Sequence, residues 1–94
     1  MKKYLRCVKG VDDNVGRLMK ALEDNGLSGD TPIIYTSDHG DNLGTRGLWG
    51  KSNMYEESAA VPMIMSGPDV PKGVVCREPV TLVDCFPTII DCAG

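Results

Sequence analysis

The pattern of periodicities along this 94-residue chain predicts an α/β fold in the order helix, strand, loop, strand, helix. Three observations carry that prediction. Apolar residues recur at three- and four-residue spacing near the start, two short β-rich runs stand in the middle, and a helix-capping pattern opens the last segment.

Tyr4, Val8, Val11, Val15, Leu18, Met19 and Leu22 form the spaced set, which predicts an amphipathic helix over 4–22 with one buried stripe. Gly26 is its natural stop, and "SGDTP" (28–32) is turn chemistry. "IIYTS" (33–37) lacks strict alternation and runs into Asp38-His39-Gly40. That reads as a strand buried on both faces, as in a parallel sheet. Gly40, Gly44, Gly47 and Gly50 make 40–50 a loop, and "SNMYEESAA" (52–60) predicts a short helix from Ser52 or Asn53. "VPMIMSG" (61–67) is the second strand, with Pro62 at its start, and 68–79 is an exposed connection. Thr81 with Asp84 forms a capping box that opens a helix through Asp91, with Pro87 bending its early turns. Two strands make a poor sheet on their own. The chain therefore reads as a segment of a larger domain, expecting further elements around it.

Composition narrows the function. A net charge of −3 and a pI near 4.9 provide no basic field for a phosphate backbone, which argues against nucleic acid as a partner. No apolar run approaches the roughly 20 residues of a membrane span, and "MKKYLRCVKG" has no leader-type apolar core. Cys7, Cys76, Cys85 and Cys92 contain no Cys-x-x-Cys pair, so zinc is disfavoured and free, buried thiols are expected.

The chemistry concentrates where the first strand ends. Sites in open α/β sheets lie beyond the carboxyl ends of strands, where Asp38 and His39 stand. A carboxylate oxygen and an imidazole nitrogen can both bind a divalent cation, provided the strand has already turned so that adjacent side chains converge. Two ligands are too few for such an ion; Asp41 and Asn42 offer further oxygens, and other donors must come from elsewhere. Lys51, after "GLWG", is a compact cation suited to an anionic substrate oxygen. Spacing also allows a plainer arrangement, with Asp38 capping a turn, His39 an ordinary loop residue and Lys51 solvated. Glu56 and Glu57 are free to pair with Arg46 or Lys51, or to cap the helix beside them.

"VDDNVGRLMKALEDNGL", "IIYTSDHGDNLGTRGLWGKSNMYEESAAVPMIMSGP" and "TLVDCFPTIIDCAG" together resemble the sulfatases of the alkaline phosphatase superfamily, choline-sulfatase-like and arylsulfatase-like members above all. The resemblance implies that residues 1–94 are the later part of a catalytic domain, a fragment of an alkaline-phosphatase-like α/β sandwich. It implies that Asp38 and His39 are ligands to one divalent ion, usually calcium in the family with manganese the second choice, and that Lys51 is the catalytic, substrate-binding lysine that contacts sulfate. The family nucleophile is a formylglycine within Cys/Ser-x-Pro-x-Arg, whose hydrated aldehyde attacks sulfur. That signature and the other metal-binding Asp pair lie upstream in relatives and are absent here. Cys85-Phe86-Pro87 has Ile89 where Arg is required, so Cys85 is expected to pack rather than react. Ala60 and Glu57 stand where relatives commonly carry Arg and Gly. The implied partners are a small sulfate ester and the rest of the catalytic domain, without nucleic acid or membrane. Two other readings stand beside this one: a phosphonate or phosphate ester hydrolase of the same superfamily, and a non-catalytic α/β association module. In both the sulfatase and the module readings, an unpartnered helix face leaves the fragment open to self-association.

Overall fold

A computed structural model describes residues 1–94. Helix α1 runs Lys2–Asp24, strand β1 Ile33–Thr36, the short helix α2 Glu56–Ala59, strand β2 Met63–Ser66 and helix α3 Cys85–Ala93. Single 3-10 turns at Thr45–Gly47 and Leu82–Asp84 complete the regular structure. The predicted order holds, and the short helix expected within 52–60 is present as α2.

Helix α1 extends past the predicted 4–22 and closes in a double-bonded C-terminal turn. Gly26, at φ +70°, donates its N–H to the Glu23 carbonyl at 3.0 Å, and Leu27 donates to Leu22 at 2.8 Å. Only a residue free to adopt positive φ satisfies both orphan carbonyls this way. The capping box also forms. Thr81 Oγ1 accepts from the Val83 N–H at 3.4 Å, while Asp84 Oδ2 accepts from the Thr81 N–H at 3.2 Å. Helix α3 begins only after a tighter 3-10 turn, and it runs unbroken through Pro87 to Ala93.

The strands pair antiparallel, which corrects the parallel-sheet expectation. Ile33 faces Ser66 and Thr36 faces Met63. A parallel return needs a crossover running the length of the strands. Here residues 37–62 are spent in turns and in α2, which is four residues long, so β2 starts beside the end of β1 and runs back. Helix α2 begins at Glu56 rather than at Ser52 or Asn53, because Ser52 stands at φ +80° and Tyr55 is extended at ψ 150°, although Asn53 Oδ1 accepts the Tyr55 N–H at 3.1 Å.

Strand alternation gives the sheet two apolar faces. Ile33, Tyr35 and Ile64 look toward α1 and share a groove with Val15 and Met19 of its stripe. On the other face Ile34 shares a groove with Ile89 and Cys92 of α3. The layers are thus helix, sheet, helix, and both grooves are open.

No apolar side chain is buried; only Asn42 and Ser58 are. The chain exposes 8014 Å², whereas a compact protein of 10.1 kDa exposes about 5,300 Å². Its radius of gyration is 15.8 Å against about 12 Å for a compact chain of this length. Each Leu, Val, Ile, Phe or Met left in water forgoes about 1.5–3 kcal/mol. The same openness corrects the thiol expectation: all four cysteines are free, but Cys7, Cys76 and Cys92 are exposed and Cys85 is half-buried. No helix is long and apolar enough to cross a membrane.

Candidate functional site

Because β1 stops at Thr36, the chain has already left the pleat at Asp38 and His39, and their side chains do not diverge. Ser37 Oγ donates to the His39 carbonyl at 2.8 Å, folding the backbone over. Asp38 Oδ2 lies 3.6 Å from His39 Nε2, and the Lys51 ammonium meets that same Nε2. The His39 Nδ1 is 2.8 Å from the Gly40 carbonyl, which can only accept, so Nδ1 carries the proton. Nε2 therefore presents its lone pair, and Lys51 is the donor to it. Three groups singled out in the sequence share one spot. Asp38 is 84% exposed there and His39 38%.

Gly40 anchors the turn. Its N–H donates to the Ser58 carbonyl at 2.9 Å, bringing the strand end against α2. A Cβ at Gly40 would stand 2.1 Å from the Glu57 carbonyl oxygen. Nothing larger than glycine fits.

Asp41 and Asn42 turn their side chains to the backbone of their own loop. Asp41 Oδ1 accepts the N–H groups of Leu43 at 2.8 Å and Gly50 at 3.3 Å. Asn42 is fully buried and sends both its backbone N–H, at 2.8 Å, and its Nδ2, at 2.7 Å, to the Gly50 carbonyl. Its Oδ1 has no hydrogen-bond partner, an omission that costs about 1–3 kcal/mol. No three potential ligands among His, Cys, Asp and Glu cluster anywhere in the chain. Asp38 and His39 are the two that meet at the end of β1.

The alternatives left open for Glu57 are settled in favour of Arg46. The guanidinium Nη1 sits 2.8 Å from Glu57 Oε2, and its carbon lies 4.3 Å from the Tyr55 ring centroid. Arg46 holds this pose at φ +56°. The Glu57 carboxyl is lowered below its usual range, first by its own backbone amide and then by Arg46. A depressed folded-state value gives stability that is complete above the unfolded value, about 4.3, and fades as pH falls through the lower folded one. In a Glu57→Gln variant the deficit in thermal midpoint against the parent is expected at pH near 6 and to narrow toward pH ~3. Differential scanning calorimetry across that range checks it.

Sequence reasoning placed Asp38, His39 and Lys51 but missed the buried Asn42 and the Arg46–Tyr55 stack. The dense glycines marked the loop; nothing in their spacing marked which side chain would turn inward.

Known proteins share this segment. The sulfatase family model matches residues 1–94. The choline-sulfatase of Rhizobium meliloti is 41% identical over 91 residues, which are 97% of this chain and 18% of that protein. The N-acetylglucosamine-6-O-sulfatase of Bacteroides thetaiotaomicron is 41% identical over 95 residues, covering 100% of this chain and 17% of its own length. Arylsulfatase K of Danio rerio is 40% identical over 91 residues, 97% of this chain and 17% of its own. The crystal structure of the sulfatase-like protein yidJ from Bacteroides fragilis superposes with a TM-score of 0.69 at 46% identity, over 73% of this chain and 15% of that one. The chain thus spans less than a fifth of the curated relatives it matches, 18% of the first two. Matched along its whole length by that family's model, and over nearly all of it by proteins that bear the name, the chain belongs to the sulfatase family.

Proposed function

We propose that residues 1–94 are the later segment of a catalytic domain that hydrolyses sulfate esters. In this reading Asp38 and His39 are two of the ligands to one calcium ion, and Lys51 binds the sulfate group. The observation that carries it is the meeting of Asp38 Oδ2, His39 Nε2 and Lys51 Nζ at the end of β1.

The donor set suits such an ion in part. Asp38 offers an exposed carboxylate whose only near partner is His39, and the Nδ1–H bond to Gly40 aims a lone pair outward from Nε2. Hard cations take six or more oxygens or nitrogens, so the remaining ligands belong to another part of the domain. When bound, the ion offsets negative charge on the ester's sulfate oxygens. The Lys51 ammonium, which meets His39 Nε2 here, has three N–H donors and would direct them to sulfate oxygens held at the same spot. A fixed ammonium in that place stabilises charge that grows as the ester bond breaks. The nucleophile, a formylglycine in the family, is expected upstream of this segment. Without an attacking group, these 94 residues alone do not turn over an ester.

The relatives' names span choline, aryl and N-acetylglucosamine sulfates, which directs the test to sulfur. The intact protein carrying this segment is expected to hydrolyse p-nitrophenyl sulfate or a choline or sugar sulfate, and to leave the matched phosphonate esters nearly untouched. Preferential phosphonate hydrolysis would transfer the assignment to the phosphorus branch of the superfamily. Inactivity on both classes would favour the association module.

A further inference from the structure

We propose that Asn42 and Asp41 are positioning residues that hold Gly50, and through it set where the Lys51 ammonium points. The inference rests on the role of Lys51 proposed above and assigns work to two side chains that touch neither ester nor cation.

Gly50 is gripped at both ends of its peptide frame. Its carbonyl accepts two bonds from Asn42, the backbone N–H at 2.8 Å and Nδ2 at 2.7 Å. Its N–H donates to Asp41 Oδ1 at 3.3 Å. Asp41 is itself held because the same oxygen accepts the Leu43 N–H at 2.8 Å. Residues 41–42 lie directly after the His39-Gly40 turn, and Gly50 directly precedes Lys51. The grip therefore ties the two ends of the loop together at its neck, with His39 on one side and Lys51 on the other.

Burial shows that the neck is not an incidental surface contact. Asn42 is fully buried in a chain where no apolar side chain is, and its Oδ1 goes without a donor. An amide kept inside with its oxygen unpartnered is retained for the bond its nitrogen makes to Gly50. Lys51 is exposed and carries four rotatable side-chain bonds, so its backbone origin is the part the fold can control. Displacing a reacting group by about 1 Å can cost 100-fold in rate.

The test is a double-mutant cycle in the intact enzyme, read both as kcat/KM on a sulfate ester and as the Kd for inorganic sulfate by calorimetry. Asn42→Leu removes the Nδ2 bond to Gly50 at similar volume and is expected to lower kcat/KM by about 10- to 100-fold and to weaken sulfate binding. In a Lys51→Ala background the same change is expected to cost less than about 2-fold, because the residue it positions is gone. Asn42→Asp keeps the shape but sets an oxygen against the Gly50 carbonyl, and it takes the same place in the cycle if Asn42→Leu does not fold. Equal losses in both backgrounds would overturn the positioning role while leaving the function of Lys51 intact. A Lys51→Ala enzyme with unchanged turnover and unchanged sulfate affinity would instead overturn the reading on which the inference rests.

Discussion

Asp38→Ala in the intact enzyme is expected to weaken calcium binding by more than about 100-fold and to abolish turnover at ordinary calcium levels, while leaving the fold intact. Loss of a group that merely supports a metal ligand already costs about 10- to 100-fold in affinity, so loss of a ligand costs more. The stability half of the expectation comes from exposure. Asp38 is 84% exposed, and its one polar neighbour is His39 at 3.6 Å. A surface carboxylate without hydrogen bonds to lose changes unfolding free energy by within about 0.5 kcal/mol. Calorimetric titration with calcium, set beside thermal unfolding of the metal-free protein, separates the two effects. Asp38→Asn, which keeps an oxygen donor but no charge, should fall between. Unaltered calcium affinity in Asp38→Ala would remove this residue from the ligand set.

Gly40→Ala is expected to lower stability and calcium affinity together. The added methyl would lie 2.1 Å from the Glu57 carbonyl oxygen, 3.1 Å from its carbon and 3.2 Å from the Ala60 carbonyl oxygen. These are backbone atoms, which cannot swing aside as a long side chain would. Either the bond from the Gly40 N–H to Ser58 breaks or α2 moves away, and both displace His39. Overpacking typically costs about 1–3 kcal/mol, and a clash with fixed backbone belongs at or above the top of that range. The thermal midpoint of the intact protein is expected to drop by several degrees, about 2–4 °C for each kcal/mol in a domain of 150–250 residues and less in a larger one. Calcium affinity should fall with it. Gly29→Ala, whose methyl would meet nothing within 4 Å, is the control and should leave both unchanged.

The elements that were legible in the sequence are those decided locally. The stripe from Tyr4 to Leu22 dictated α1, Pro62 marked the residue before β2, and Thr81 with Asp84 formed the cap that their types require. The residues that were misjudged depend on partners distant in sequence. Strand direction follows from where 37–62 re-enters the sheet, which periodicity within β1 does not encode. Asn53 makes the bond to the Tyr55 N–H that opens a helix, but the extended backbone at Tyr55 delays the first turn to Glu56. Cys7 and Cys92 have the right chemistry for burial and lack only a surface to be buried against. At the candidate site, residue types identified Asp38, His39 and Lys51. The neck between Asn42 and Gly50, a contact across eight positions, is described by no short motif.

Thr36 and Met63 stand side by side in the ladder, so everything from Ser37 to Pro62 departs and returns through one doorway. A cassette entered and left at a single rung can lengthen, shorten or be exchanged without shifting the register of the strands that carry it. Exchanging 37–62 as one piece is the corresponding engineering move, and it should leave the pairing of Ile33 with Ser66 in place.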